Sequence, residues 1–134
     1  MAVCHTYFLS AGEAVMSFEL RSSAFQQNLS IPTKYTCDGA NVSVPLSWRD
    51  APRETKSFAL IVDDPDAPNG IWVHWVLYDL PEGGHALAEA IPNQETLGNG
   101  AKQGVNDFGK SGTSALARVV WHIATFSNCM LWIG

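Results

Sequence analysis

The chain has 134 residues, of which 46% are hydrophobic, 10% aromatic and 16% charged, with a formal net charge of −5. That composition supports one folded domain with its own core and excludes a disordered chain. The acidic balance and the absence of any Lys/Arg cluster exclude a nucleic-acid-binding surface.

Along the chain, residues 1–15 carry no Lys or Arg before a short apolar stretch, so no signal peptide is expected. M-S-F-E-L-R-S-S-A-F (16–25) alternates apolar and polar at its start and places Phe18 and Leu20 on an edge strand. Turn signals follow at Ile31-Pro32, Cys37-Asp38-Gly39 and Pro45. L-S-W (46–48) is a short strand closed by D-A-P at 50–52, and S-F-A-L-I-V-D (57–63) is a buried strand. In D-P-D-A-P (64–68), each proline restricts the residue before it, so Asp64 and Ala67 are held away from α geometry. The run from residue 71 to 80 is the next strand, ended by Pro81 and Gly83-Gly84. Its alternation puts Trp72, His74, Val76 and Tyr78 on one face and Ile71, Val73, Trp75 and Leu77 on the other. Residues 85–105 are punctuated by Gly, Asn and Pro and read as a long surface loop. Residues 117–126 fit a strand by weak alternation, or a helix by apolar spacings of three and four. Arg118, His122 and Asn128 break the apolar tail well short of the ~20 residues a membrane span needs, so no span is expected. Closely spaced strands with Pro/Gly turns, and no amphipathic helix before residue 110, indicate an all-β sandwich. Cys4, Cys37 and Cys129 lack C-x-x-C spacing and read as free thiols of a reducing compartment, so a cytoplasmic location is expected.

Chemistry concentrates at Asp64, Trp72 and His74. The favoured arrangement is an anion pocket, in which His74 and loop N–H groups donate, Trp72 gives an apolar wall and Asp64 orients His74. Three alternatives stand beside it. Asp63, Asp64, Asp66 and His74 are legitimate metal ligands, but their spacing matches no defined metal loop, and no metal or cofactor is expected. Asp64 and His74 could serve a small hydrolase as orienting carboxylate and general base, yet no G-x-S-x-G elbow is present and nothing supports Ser111 or Ser114 as nucleophile. Asp64 could also simply accept from backbone N–H groups of its own loop. Asn106, Asp107 and Gly109 are ordinary turn formers. His5, His85 and His122 have no partners in sequence, and Trp48 and Trp75 are expected in the core.

Five segments together carry a resemblance: I-P-T-K-Y-T-C-D-G (31–39), N-V-S-V-P-L-S-W (41–48), S-F-A-L-I-V-D-D-P-D-A-P (57–68), W-V-H-W-V-L-Y-D-L-P (72–81) and G-V-N-D-F-G-K-S-G (104–112). The chain resembles the phosphatidylethanolamine-binding protein family, in its bacterial and archaeal Raf-kinase-inhibitor-like branch. The resemblance implies an antiparallel Greek-key β-sandwich with a small anion-binding cavity at one end. It implies that Asp64, Trp72 and His74 line that cavity, that Asp66 and Pro68 shape its rim, and that Asn106, Asp107 and Gly109 lie near its mouth. Val44 departs from the family, which usually has a proline there, and should loosen a turn.

The larger departure follows Gly112, where the family has a Tyr/Gly/Pro-rich loop and a strand opening with His-Arg-Tyr. The codons of residues 121–133, read two bases out of frame, can encode A-H-R-Y-F-F-K-L-Y-A-L-D. Residues 113–134 are therefore expected to be a frameshifted tail that leaves the sandwich incomplete. The codons of Gly12-Glu13 can form a ribosome-binding purine run before Met16, so residues 1–15 are expected to be leader and residues 16–112 the sandwich core. The expected function is a non-enzymatic module whose partner is a phosphate-like small anion or a phosphorylated head group, with binding expected to be impaired by loss of the C-terminal pocket strand and a homodimer as one assembly to consider.

Overall fold

The computed structural model describes residues 18–26, 29–114, 116, 120–126 and 130–133. Its strands in chain order are β1 (Glu19–Arg21), β2 (Leu46–Arg49), β3 (Ser57–Asp64), β4 (Trp72–Pro81), β5 (Ala86–Leu87), β6 (Lys102–Gln103), β7 (Val120–Phe126) and β8 (Met130–Ile133). Among the described residues the helical structure is a single 3-10 turn at Thr33–Tyr35. One sheet has the order β1-β2-β5 and the other β6-β4-β3-β7-β8, and every pairing is antiparallel. The chain leaves the first sheet after β2, builds the β3–β4 pair in the second, returns for β5 and crosses again for β6. The all-β antiparallel sandwich expected from the sequence is the observed architecture.

The core lies between the two sheets. On β2, Leu46 and Trp48 point inward while Ser47 and Arg49 stay exposed, the alternation that a half-buried strand requires. β3 is a central strand and buries Phe58, Leu60 and Val62 completely. Phe58 joins the layers: its ring lies 5.9 Å from Phe18 and takes the edge of Trp48 at 5.4 Å. Val44 is fully buried in this core, and Ser43 beside it accepts Ala90 N through its carbonyl and Ile91 N through its hydroxyl. The turn that carries Val44 in place of the family proline is held by these two bonds.

Residues 85–105 are more ordered than a surface loop. They contain β5 and β6 and a bridge between Thr96 and Lys102. The buried Gln103 explains this order: its Oε1 accepts Trp75 Nε1 at 2.7 Å, and its Nε2 donates to the carbonyls of Pro92 and Gln94, both at 2.7 Å. One amide thus ties the loop to a core indole and satisfies polar groups that would be costly to bury alone.

Of the two conformations open to residues 117–126, the strand forms over Val120–Phe126, residues 117–119 lying outside the described residues. β7 pairs with β3 from Ser57↔Phe126 to Asp63↔Val120, so β3 is hydrogen-bonded on both sides. The expected leader, residues 1–15, lies outside the described residues, as do Cys4 and Cys129. Cys37 is an exposed free thiol. No helix among the described residues is long and apolar enough to cross a membrane.

Candidate functional site

The site is built where β3 and β4 lose step. Val62 pairs with Trp75, but the next pair is Asp63 with Val73, so His74 has no residue opposite it. This is a β-bulge, which bends a strand and re-aims a side chain. Strict alternation along 71–78 therefore fails: His74 and Trp75 are consecutive and both buried, Val76 is half-buried and Tyr78 is exposed. A second irregularity lies between the pairs Phe58↔Leu80 and Leu60↔Leu77, where Asp79 adopts a left-handed conformation (φ 55).

The buried ring of His74 is held through Nδ1, 2.8 Å from the carbonyl oxygen of Ser114. A carbonyl can only accept, so Nδ1 carries the proton, and in the neutral ring Nε2 keeps its lone pair. Nε2 has no hydrogen-bond partner among the described residues. This corrects the expected role of Asp64, because the ring is oriented by a backbone carbonyl and not by a carboxylate.

Asp64 sits across the ladder from Trp72, and its Oδ1 accepts Asp66 N at 2.9 Å. It closes its own loop, the turn-stabilising arrangement left open by the sequence. Without an Asp64–His74 hydrogen bond, the orienting pair needed for the hydrolase alternative is not assembled. Asp66 and Pro68 are exposed on this loop, which ends at Gly70 (φ 103) with Gly70 N donating to Ala67 O.

The segment 106–110 lies against β4. The buried Asn106 donates through Nδ2 to the carbonyls of His74 (3.1 Å) and Gly112 (3.0 Å), with Ser114 Oγ further off at 3.4 Å. Its Oδ1 accepts the amides of Phe108 (3.0 Å) and Lys110 (3.1 Å). Asp107 continues the ladder: its amide donates to Val73 O, and its Oδ2 accepts Val73 N at 2.6 Å. Gly109, at φ 70, gives the reversal that returns its own amide to Asn106 O. Asn106 and Asp107 thus stitch this segment to the bulged strand beside His74, and their polar atoms are largely spent on backbone.

Phe108 joins the site without having been singled out in the sequence. Its ring meets Trp72 at 5.6 Å and His74 at 5.4 Å, both edge-on. The signal available was an aromatic side chain in an Asn-Asp-x-Gly turn, where nothing local demands one. Open clefts of about 410 and 320 Å³ lie elsewhere, along Ser22–Pro32 and Ala86–Asn99, and neither is lined by Asp64, Trp72 or His74. Among the described residues no three His, Cys, Asp or Glu side chains come together as a metal site.

Comparison with known proteins agrees with this architecture. The phosphatidylethanolamine-binding protein family matches residues 21–124. A UPF0098 protein of Methanothermobacter thermautotrophicus is 48% identical over 93 residues, covering 69% of this chain and 62% of its own length. A UPF0098 protein of Aquifex aeolicus is 48% identical over 103 residues, covering 77% of this chain and 58% of its own. The chain therefore spans about three fifths of the length of these relatives. Two crystal structures are similar in fold. A phosphatidylethanolamine-binding protein homologue from Chlamydia trachomatis superposes with a TM-score of 0.70 at 35% identity, covering 84% of this chain and 75% of that one. YbcL of E. coli, described as a member of the mammalian family, gives 0.71 at 29% identity, covering 82% and 76%. With its two-sheet fold, its bulged histidine strand and this span of matched residues, the chain belongs to the phosphatidylethanolamine-binding protein family.

Proposed function

We propose that the chain is a non-enzymatic binding module for a phosphoryl-type anion, either free phosphate or a phosphorylated head group, received at the Trp72–His74 face. One observation carries the reading: the Ser114 carbonyl occupies Nδ1 of a buried histidine and leaves Nε2 for a ligand. A phosphoryl oxygen can meet Nε2 only with a proton between them, brought by the ring or by a phosphate hydroxyl. The family's name supports a phosphorylated head group as one source of that anion. Cytoplasm is the proposed location, consistent with the exposed Cys37 thiol. Residues 113–134 are proposed to stand, out of frame, where the family has its His-Arg-Tyr strand; sequencing the encoding DNA tests this.

The binding test is a calorimetric titration with inorganic phosphate and with phosphoethanolamine. A hydrogen bond to a charged group contributes about 1.5–3 kcal/mol, so His74→Ala should weaken binding roughly ten- to a hundred-fold. Equal affinity in wild type and variant would remove His74 from the site. Turnover of p-nitrophenyl phosphate that is lost in His74→Ala would favour the hydrolase reading instead.

A further inference from the structure

We infer that Phe108 is the specificity-determining wall of the Trp72–His74 site, controlling which molecules reach Nε2 of His74. The inference rests on the phosphoryl-binding reading for its ligand, but its geometry stands independently. The Phe108 ring makes edge contacts with both aromatic members of the site, at 5.6 and 5.4 Å. Phe108 remains 41% exposed beside the buried His74 and is not part of the core cluster. The backbone beneath it is fixed by the stitching of Asn106 and Asp107 onto β4.

This division of labour is informative. Asn106 holds the loop through Phe108 N and Lys110 N, so the loop does not need the Phe108 ring to keep its shape. A single apolar side chain left half in water is ordinary, so it is the ring contacts of Phe108, not its exposure, that assign it a role. One of those contacts is with the histidine ring that Ser114 already positions. The ring can leave by side-chain rotation alone, while the backbone stays in place. A small anion passes with little displacement of the ring, whereas a bulky ester requires the ring to move. Selection is therefore by size next to the phosphoryl group.

The test reads access directly, without assuming a ligand. Diethyl pyrocarbonate acylates an unprotonated imidazole nitrogen, and peptide mass spectrometry can follow His74 with the exposed His85 as internal standard. Removing the two ring contacts in Phe108→Ala should raise the His74 rate about tenfold relative to His85. Phe108→Tyr should return it to the wild-type rate. In parallel titrations, Phe108→Ala should gain affinity for phenyl phosphate relative to inorganic phosphate. An unchanged His74 rate in a variant that still melts cooperatively would overturn the inference. So would loss of the folded state in both Phe108→Ala and Phe108→Leu, because Phe108 would then be a core residue. If the labelling rates behave as expected but no phosphate compound binds, the wall stands and the phosphoryl reading falls.

Discussion

At the scale of single residues, Asn106 carries more of the site than its place in a turn suggests. Its amide satisfies two carbonyls and two amides across β4, the 106–110 turn and Gly112. Asn106→Ala removes all four bonds at once in a buried position. Each buried group left unpaired costs about 1–3 kcal/mol, and partial relaxation should hold the total to about 3–5 kcal/mol, measurable by urea denaturation. Asp64 contrasts with it. Its bond goes to the exposed Asp66 amide, which water can satisfy in its place, so the fold depends little on Asp64 for stability. Asp64, Trp72 and His74 were legible as candidates because strand patterning and proline restriction are local. The roles of Ser114 and Phe108 were not. A backbone carbonyl has no sequence signature, and an aromatic ring in a turn gains meaning only when a distant strand is beside it.

At the scale of elements, the sequence located β2, β3 and β4 from their apolar runs. It did not reveal the bulge, because register is set by the pairing of β3 with β4 and not by either strand alone. A one-residue offset at Val62/Asp63 makes His74 and Trp75 both inward residues, against any two-residue period. The loop after β5 shows a related effect, with order arising from remote side chains. Glu89 accepts Tyr35 Oη at 2.7 Å and pairs with Lys34 Nζ, tying the 3-10 turn to the segment after β5. The bond from Lys34, and then that from Tyr35, hold the Glu89 carboxyl below its ordinary value of 4.5. The bond to Glu89 raises the Tyr35 phenol above 10.0. A lowered carboxyl contributes its full stabilisation above 4.5 and loses it as pH falls through the folded value. A raised phenol contributes fully below 10.0 and loses it as pH rises through its folded value. The tie is complete between those limits. Glu89→Gln should therefore melt below wild type at neutral pH, with the gap closing well below pH 4.5; a gap constant across that range would mean the charge is not engaged.

At the scale of the whole molecule, the candidate site draws on three distant segments: the end of β3 with its proline loop, the bulge of β4 paired with it, and residues 106–114 stitched to β4. Family motifs identified all three, but only the fold shows that the last one holds the bulged strand. If the proposed anionic ligand binds, the net charge of −5 opposes it at long range, so its affinity should come from short-range bonds and be modest. The account turns on one atom, Nε2 of His74. Its ¹⁵N resonance, followed by long-range imidazole correlation during titration with inorganic phosphate, is the most direct test. The account predicts that the neutral ring shows Nδ1 protonated and Nε2 bearing a lone pair, and that phosphate moves the Nε2 signal towards that of a protonated, hydrogen-bonded nitrogen. An Nε2 resonance that stays fixed while phosphate binds, or a neutral ring protonated at Nε2 instead of Nδ1, would contradict it.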